Sequence, residues 1–237
     1  MKKLNLMALF FLIALTPIFQ SCLDDNDSEY YNDSFAISTI KVLDKDKKDF
    51  YFNLDDGSKM YPSEKTGMGN YEIKDGQRAF VLFKELDQKI DGYKYNIQVR
   101  NIVNILTKDI LDLTSENAND IGDDPINATY MWIAQGFLTI EFQYYGTHSS
   151  DKKHFLNLVV NKLPEGTEGG ADSDYLELEF RHNKKGDEPV ALGEGYVSFK
   201  LDKIAEDMKG KKGLKIRINT IHEGGKFKKV DFPESSK

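Results

Sequence analysis

Leu138-Thr139-Ile140-Glu141-Phe142-Gln143-Tyr144 alternates apolar and polar residues without a break. In an extended strand that sets Leu138, Ile140, Phe142 and Tyr144 on one face and Thr139, Glu141 and Gln143 on the other; a helix would scatter the same residues around its circumference. The rhythm recurs at Leu156, Leu158 and Val160, at Leu176, Leu178 and Phe180, at Val197, Phe199 and Leu201, and at Leu214, Ile216 and Ile218. Strands with one buried and one wet face predict a two-sheet antiparallel β-sandwich over 126–233. One helix is expected within it, over 202–209, with Asp202 as its cap and Ile204, Ala205 and Met208 turned inward. Trp132, the sole tryptophan, is expected to anchor the core with Met131 and Ile133 at the mouth of the sandwich.

Working toward the N-terminus, Phe50, Phe52 and Leu54 alternate with Tyr51 and Asn53, then turn through Asp55-Asp56-Gly57 into Lys59, Met60 and Tyr61. This is a hairpin signature. Phe35, Ile37, Ile40 and Val42 alternate with a slip near Ser38, which reads as a β-bulge. Further strands are expected over 79–86 and 93–105; in the second, Tyr93, Tyr95, Ile97 and Val99 share a face before Ile102 and Val103 break the register. About five short, bent strands predict a small OB-like barrel over 35–107. The intervening 108–125, polar and acidic from Thr114 and containing Gly122 and Pro125, reads as a linker. The fold class is therefore all-β, barrel then sandwich, with one short helix.

The first 22 residues are of another kind. Lys2 and Lys3 precede an apolar run from Leu4 to Leu15, and Ser21 stands before Cys22, the only cysteine of the chain. A basic start, an apolar stretch too short to span a bilayer comfortably and a small residue before the cleavage point make a secretory signal. A lone cysteine at the new N-terminus is expected to be lipidated, and more than one acyl chain gives stable anchoring. Lipidation would also remove that thiol from any list of nucleophiles or metal ligands. Leu23, Asp24, Asp25, Asn26, Asp27, Ser28 and Glu29 open an acidic tether over 23–34, similar to the surface-export signals of Bacteroidetes lipoproteins; a plain spacer is the other reading. The expectation is an outer-membrane, lipid-anchored protein exposed at the cell surface. Residues 234–237 form a polar tail.

Composition limits the partners. The formal charge is −7, and Lys2 and Lys3 are the only charged residues of the signal, so the remainder carries −9. Phosphate backbones need clustered Lys and Arg, and the one dense cluster, Lys209, Lys211 and Lys212, falls in an expected loop, so nucleic acid is not expected as a ligand. No Gly-x-Ser-x-Gly, His-Glu-x-x-His or Gly-x-x-x-x-Gly-Lys occurs. His154 and His182 fall on or beside expected strands and match no common zinc spacing, which favours structural histidines. The acids Asp55-Asp56 and Asp123-Asp124 admit a calcium reading, but lack the alternating ligand positions of an EF-hand; turn chemistry accounts for Asp55-Asp56-Gly57. Arg181, His182 and Asn183 close a strand end, either satisfying buried polar groups or forming part of a binding patch. No catalytic, metal or cofactor residue is expected. For ring stacking the candidates are tyrosines on wet faces: Tyr51, Tyr95, Tyr145 and Tyr175.

Several segments, taken together and in order, carry a resemblance: Lys74-Asp75-Gly76-Gln77-Arg78, Leu106-Thr107-Lys108, Asp120-Ile121-Gly122-Asp123-Asp124-Pro125, Met131-Trp132-Ile133, His154-Phe155-Leu156-Asn157-Leu158-Val159 and Leu178-Glu179-Phe180-Arg181-His182-Asn183. Through them the chain resembles the NigD-like lipoproteins of Bacteroidetes. The resemblance implies an N-terminal OB-type barrel, a C-terminal β-sandwich and, through the bacteriocin operon that gives the family its name, a role in bacteriocin immunity. It brings no catalytic residue with it. Two functions are therefore expected from different classes: a non-enzymatic interaction module that engages an envelope protein, and a surface carbohydrate-binding protein that aids glycan capture.

Overall fold

The computed structural model describes residues 33–46, 48–166 and 174–233. The signal, Cys22, most of the tether and the tail lie outside them. Five strands, β1 (Asp33–Asp44), β2 (Asp49–Leu54), β3 (Lys59–Glu64), β4 (Arg78–Glu85) and β5 (Tyr95–Asn104), close into a barrel in the order β1-β2-β3-β5-β4. Its core is Ile40, Phe50, Phe52, Met60, Val81, Phe83, Ile97, Val99 and their neighbours. The β2–β3 turn forms as expected: Gly57 takes φ 82°, and Asp56 accepts hydrogen bonds from the Ser58 amide and hydroxyl.

The break at Ile102 and Val103 is a bulge. Leu82 pairs with Asn101 and Phe83 with Val99, so Arg100 has no opposite residue and the inward parity moves from Val99 to Ile102. The slip near Ser38 has another cause. Ala36, Ile40 and Val42 pack on the barrel core and Ser38 is fully buried, an unbroken alternation; Phe35 belongs to the outer face. The register shift of β1 falls between Val42 and Asp44 instead.

The sandwich holds β6 (Leu106–Asp109), β7 (Leu111–Leu113), β8 (Asn127–Ala134), β9 (Phe137–Gly146), β10 (Phe155–Asn161), β11 (Tyr175–Asn183), β12 (Ala191–Lys200), β13 (Gly213–Thr220) and β14 (Gly224–Asp231). They form a five-stranded sheet, β14-β13-β11-β10-β7, facing a four-stranded sheet, β6-β12-β9-β8. Both sheets are mixed, because β7 with β10, β11 with β13 and β6 with β12 run parallel. Between them lie Leu138, Ile140, Leu158, Leu178, Phe180, Val197, Phe199, Leu214, Ile216 and Ile218.

Two expectations are corrected. Within 108–125 the chain does not merely link: β6 joins one sheet, Ile110 is buried between them, and β7 joins the other. Asn117 then ties the turn by accepting from the Thr114 amide and donating to Asp112 O, and the single helical turn α1 (Ala118–Ile121) ends at Gly122. At 202–209 only a 3₁₀ turn, Asp202–Ile204, forms; Asp202 makes no capping bond and Ala205 is exposed. Eight residues without a cap do not offset helix nucleation, so burial of Ile204 and packing of Met208 hold the segment instead.

Candidate binding surfaces

The wet face expected for β9 is partly dry, because the barrel sits on it. Thr139 and Ser198 are fully buried and share a hydrogen bond of 2.8 Å. Arg78, the first residue of β4, is also fully buried and reaches across: its Nη2 donates to Asp55 Oδ2 (2.9 Å) and Thr139 Oγ1 (3.2 Å), and its Nη1 to Asp55 Oδ1 and Thr39 Oγ1. The guanidinium lies over the Phe137 ring at 5.4 Å. Trp132 is not a core anchor; its Nε1 donates to Asp55 Oδ2 at 2.7 Å, so the sole tryptophan reads the joint. Gln77 donates to Ile105 O and Thr107 Oγ1, and Asn53 to Gln135 Oε1.

At the margin of this joint lies a chain of rings. Phe35 stacks on Phe80 at 5.2 Å, and Phe80 meets Tyr196 of the sandwich edge-on at 5.0 Å. Phe35 is 61% exposed, and Val103, opposite Phe80 in the barrel sheet, is 52% exposed. Glu141 lies opposite Tyr196, and together with Glu194 it raises the Tyr196 pKa after burial, the largest cause. Two and four residues along β12, on the same face, come Glu194 and Leu192, and Leu192 lies opposite Tyr145. The surface thus extends about 13 Å beyond Tyr196.

The four candidate tyrosines do not converge. Tyr145 is on that surface, 37% exposed. Tyr51 is on the barrel's outer face against Tyr93 and close to Lys59. Tyr95 packs on the barrel core beside Lys94. Tyr175 is engaged by Asp231, which accepts from its hydroxyl at 2.8 Å, and by Lys229 over its ring. Tyr61 and Tyr93, Phe35, Phe80 and Tyr196 were not among the sequence candidates. Alternation within the β2–β3 hairpin would have placed Tyr61 beside Tyr51; nothing local predicts that Phe80 and Tyr196 meet.

The remaining polar candidates are locked into the frame. Asp123 accepts a two-pronged contact from Arg217 and another from Arg181, which also pairs with the buried Glu179. Asp124 accepts from the Lys184 amide, and Asn183 Nδ2 donates to Asn119 O and Asp120 O, clasping the α1 turn. His154 and His182, far apart in sequence, stack with centroids 5.0 Å apart. Pro125 O can only accept, so His182 Nδ1 donates to it (3.1 Å) and His182 Nε2 receives from His154 Nδ1 (2.8 Å). His154 Nε2 then faces Asp187 Oδ2 at 3.0 Å, and Thr147 donates twice to the same carboxylate. Hydrogen bonds from His154 and Thr147 hold Asp187 well below the usual carboxylate range, while burial pushes His182 down. The relay ends on a backbone carbonyl rather than a nucleophile.

Barrel order β1-β2-β3-β5-β4 followed by a two-sheet sandwich defines a two-domain OB-and-sandwich protein. The NigD-like N-terminal OB domain matches residues 38–105 and the NigD-like C-terminal β-sandwich domain matches 109–232, and the chain belongs to the NigD-like family. Among solved structures it is similar to a protein of unknown function from Bacteroides vulgatus (26% identity, 86% of this chain and 92% of that one, TM-score 0.71). A Parabacteroides distasonis protein described as toxin-related is 30% identical over 86% and 94% of the two chains, with TM-score 0.67. A NigD-like immunity protein from Bacteroides caccae shares the fold at 17% identity, 83% and 90% coverage and TM-score 0.57. No curated protein matches the chain. No helix among the described residues is long and apolar enough to cross a membrane.

Proposed function

We propose that this is an outer-membrane lipoprotein, acylated at Cys22 and exposed at the cell surface, that binds a protein partner without catalysing a reaction and serves in bacteriocin immunity. The observation that carries the binding role is the Phe35–Phe80–Tyr196 ring chain, with Phe35 61% exposed. Phe80 and Tyr196 are half-buried behind it; a contiguous apolar surface of this kind marks an interaction site, and aromatic anchors dominate protein interfaces. Glu141 and Glu194 beside Tyr196 fit a partner whose apolar contact is flanked by basic residues. Family membership and the likeness to an immunity protein support the immunity role; the Lys2-Lys3 start, apolar run and lone Cys22 support the anchor.

A bacteriocin-sensitive Bacteroides host expressing the protein tests this reading. Survival under bacteriocin challenge is expected with the native chain and lost with Phe35→Asp at equal surface amount, judged by protease shaving of whole cells. Survival unchanged by Phe35→Asp, or no survival with the native chain, counts against it.

A further inference from the structure

The barrel carries a second group of rings, further along β2 from the joint residue Asn53 and unused by the partner-binding reading. Tyr51 on β2 and Tyr61 on β3 are brought together by the hairpin register, Asn53 with Lys59 and Phe52 with Met60. Tyr93, from the β4–β5 connection, packs on both, 5.7 Å from Tyr51 at 61° and 5.0 Å from Tyr61 at 48°. All three are half-buried. Asp49 Oδ1 accepts from the Tyr61 hydroxyl at 2.9 Å, Lys59 lies 5.4 Å from the Tyr51 ring centre, and Lys41 stands opposite Tyr51. Among the described residues neither the Tyr51 nor the Tyr93 hydroxyl has a protein hydrogen-bond partner.

In an OB barrel, the face of strands 2 and 3 with the loop between strands 4 and 5 is where extended sugar or nucleotide oligomers lie. The three tyrosines occupy that place in this barrel. We infer that the Tyr51–Tyr61–Tyr93 platform is an oligosaccharide-binding subsite. Rings offer an apolar plane to the C–H face of a sugar, while two unpartnered hydroxyls, Asp49 and Lys59 supply the mixed donors and acceptors that sugar hydroxyls need. A nucleic acid would stack on the same rings, but its phosphates call for a lysine track without carboxylates. Here Asp49 stands within the platform, Asp56 pairs with nearby Lys94, and the chain carries −7.

The test uses the full protein purified in detergent from its native membrane. It is applied to an array of neutral and uronate oligosaccharides that includes cellohexaose, xylohexaose and hexagalacturonate, with a dodecamer of thymidylate alongside. The expected result is saturable binding to at least one oligosaccharide, weakened about tenfold or more in Tyr51→Ala and Tyr61→Ala and by a smaller factor in Tyr51→Phe, which keeps the ring and loses one hydroxyl. Tyr93→Ala, in a loop, serves as the variant least able to disturb the barrel, and thermal midpoints report folding for all four. Binding to thymidylate alone, sugar binding indifferent to the alanine variants, or no sugar bound across the array would overturn the assignment. Each outcome is independent of Phe35, so failure here leaves the partner-binding reading standing.

Discussion

Arg78 and Asp55 form a two-pronged ion pair at the joint between barrel and sandwich, and the arginine is fully buried. Asp55 also accepts from Trp132 of the sandwich, and the Arg78 guanidinium also donates to Thr139 and Thr39, so one carboxylate and one guanidinium tie the β2–β3 turn and β4 to β1 of the barrel and to β8 and β9 of the sandwich. Removing one member of a buried pair leaves the other charge unmet. Arg78→Ala is expected to lower unfolding stability by about 3–5 kcal/mol, measured by denaturant titration. Trp132→Phe removes a single hydrogen bond to a charged group and should cost about 1.5–3 kcal/mol.

Because Trp132 is the only tryptophan, its fluorescence reports the joint itself. Unfolding followed by tryptophan emission should coincide with unfolding followed by far-ultraviolet circular dichroism. An emission change that precedes loss of β signal would show that the joint opens before either domain melts.

The histidine relay gives stability a pH dependence of definite sign. Burial lowers the His182 pKa below its ordinary 6.5; above pH 6.5 it is neutral folded or unfolded and contributes no slope. Below 6.5 the unfolded chain takes up a proton that the folded one resists, so stability falls toward the lowered folded value and then levels. Asp187 is also lowered, from 3.8, chiefly by the hydrogen bond from His154, so its contribution is present above pH 3.8 and is lost with further acid. Denaturation midpoints in the native chain should decline as pH drops below 6.5, and His182→Gln should flatten that first decline while leaving the one below 3.8.

Gly122 and Gly76 separate packing from backbone strain. Both hold positive φ, 71° and 74°. A Cβ on Gly76 meets open space, whereas one on Gly122 would stand 2.7 Å from Asn183 Cβ and 2.9 Å from His182 O. Gly76→Ala should cost about 1–2 kcal/mol for the left-handed backbone. Gly122→Ala should cost about 1–3 kcal/mol more, as overpacking, seen as a lower thermal midpoint.

Local alternation made most of the fold legible. Leu138 to Tyr144 and the strands that repeat its rhythm predicted the sandwich, and the Asp55-Asp56-Gly57 turn predicted the barrel hairpin. Where the reading missed, long-range contact had overruled a local pattern. Phe35 looked like a core residue out of register because an outward-facing phenylalanine violates binary patterning; it is out of pattern because it belongs to the exposed ring chain. Thr139 looked wet and is dry, because nothing in a strand's own sequence shows that a second domain covers it. The segments that carry the family resemblance turn out to be fasteners: Gln77 and Arg78 at the joint, Lys108 donating to Leu156 O and Asn157, Asp123 and Asp124 on the arginines and the Lys184 amide, His154 and His182 in the relay. They specify the frame, and the candidate binding rings lie outside them. Only Tyr51 and Tyr145 of the four tyrosines chosen from sequence fall on the two ring surfaces, since the partners that make a surface of each come from distant strands.

The Phe35–Phe80–Tyr196 surface is the proposed seat of a protein partner, and affinity capture from the native cell envelope is its sharpest test. The native chain, Phe35→Asp and, as a surface control, Leu43→Asp are to be compared by quantitative mass spectrometry, with thermal midpoints matched. Leu43 is likewise exposed, at 52%. One envelope protein is expected to be enriched by the native chain and by Leu43→Asp and reduced at least about tenfold by Phe35→Asp, as loss of a central aromatic anchor requires. Equal recovery with all three chains, or no protein enriched by any of them, would contradict it.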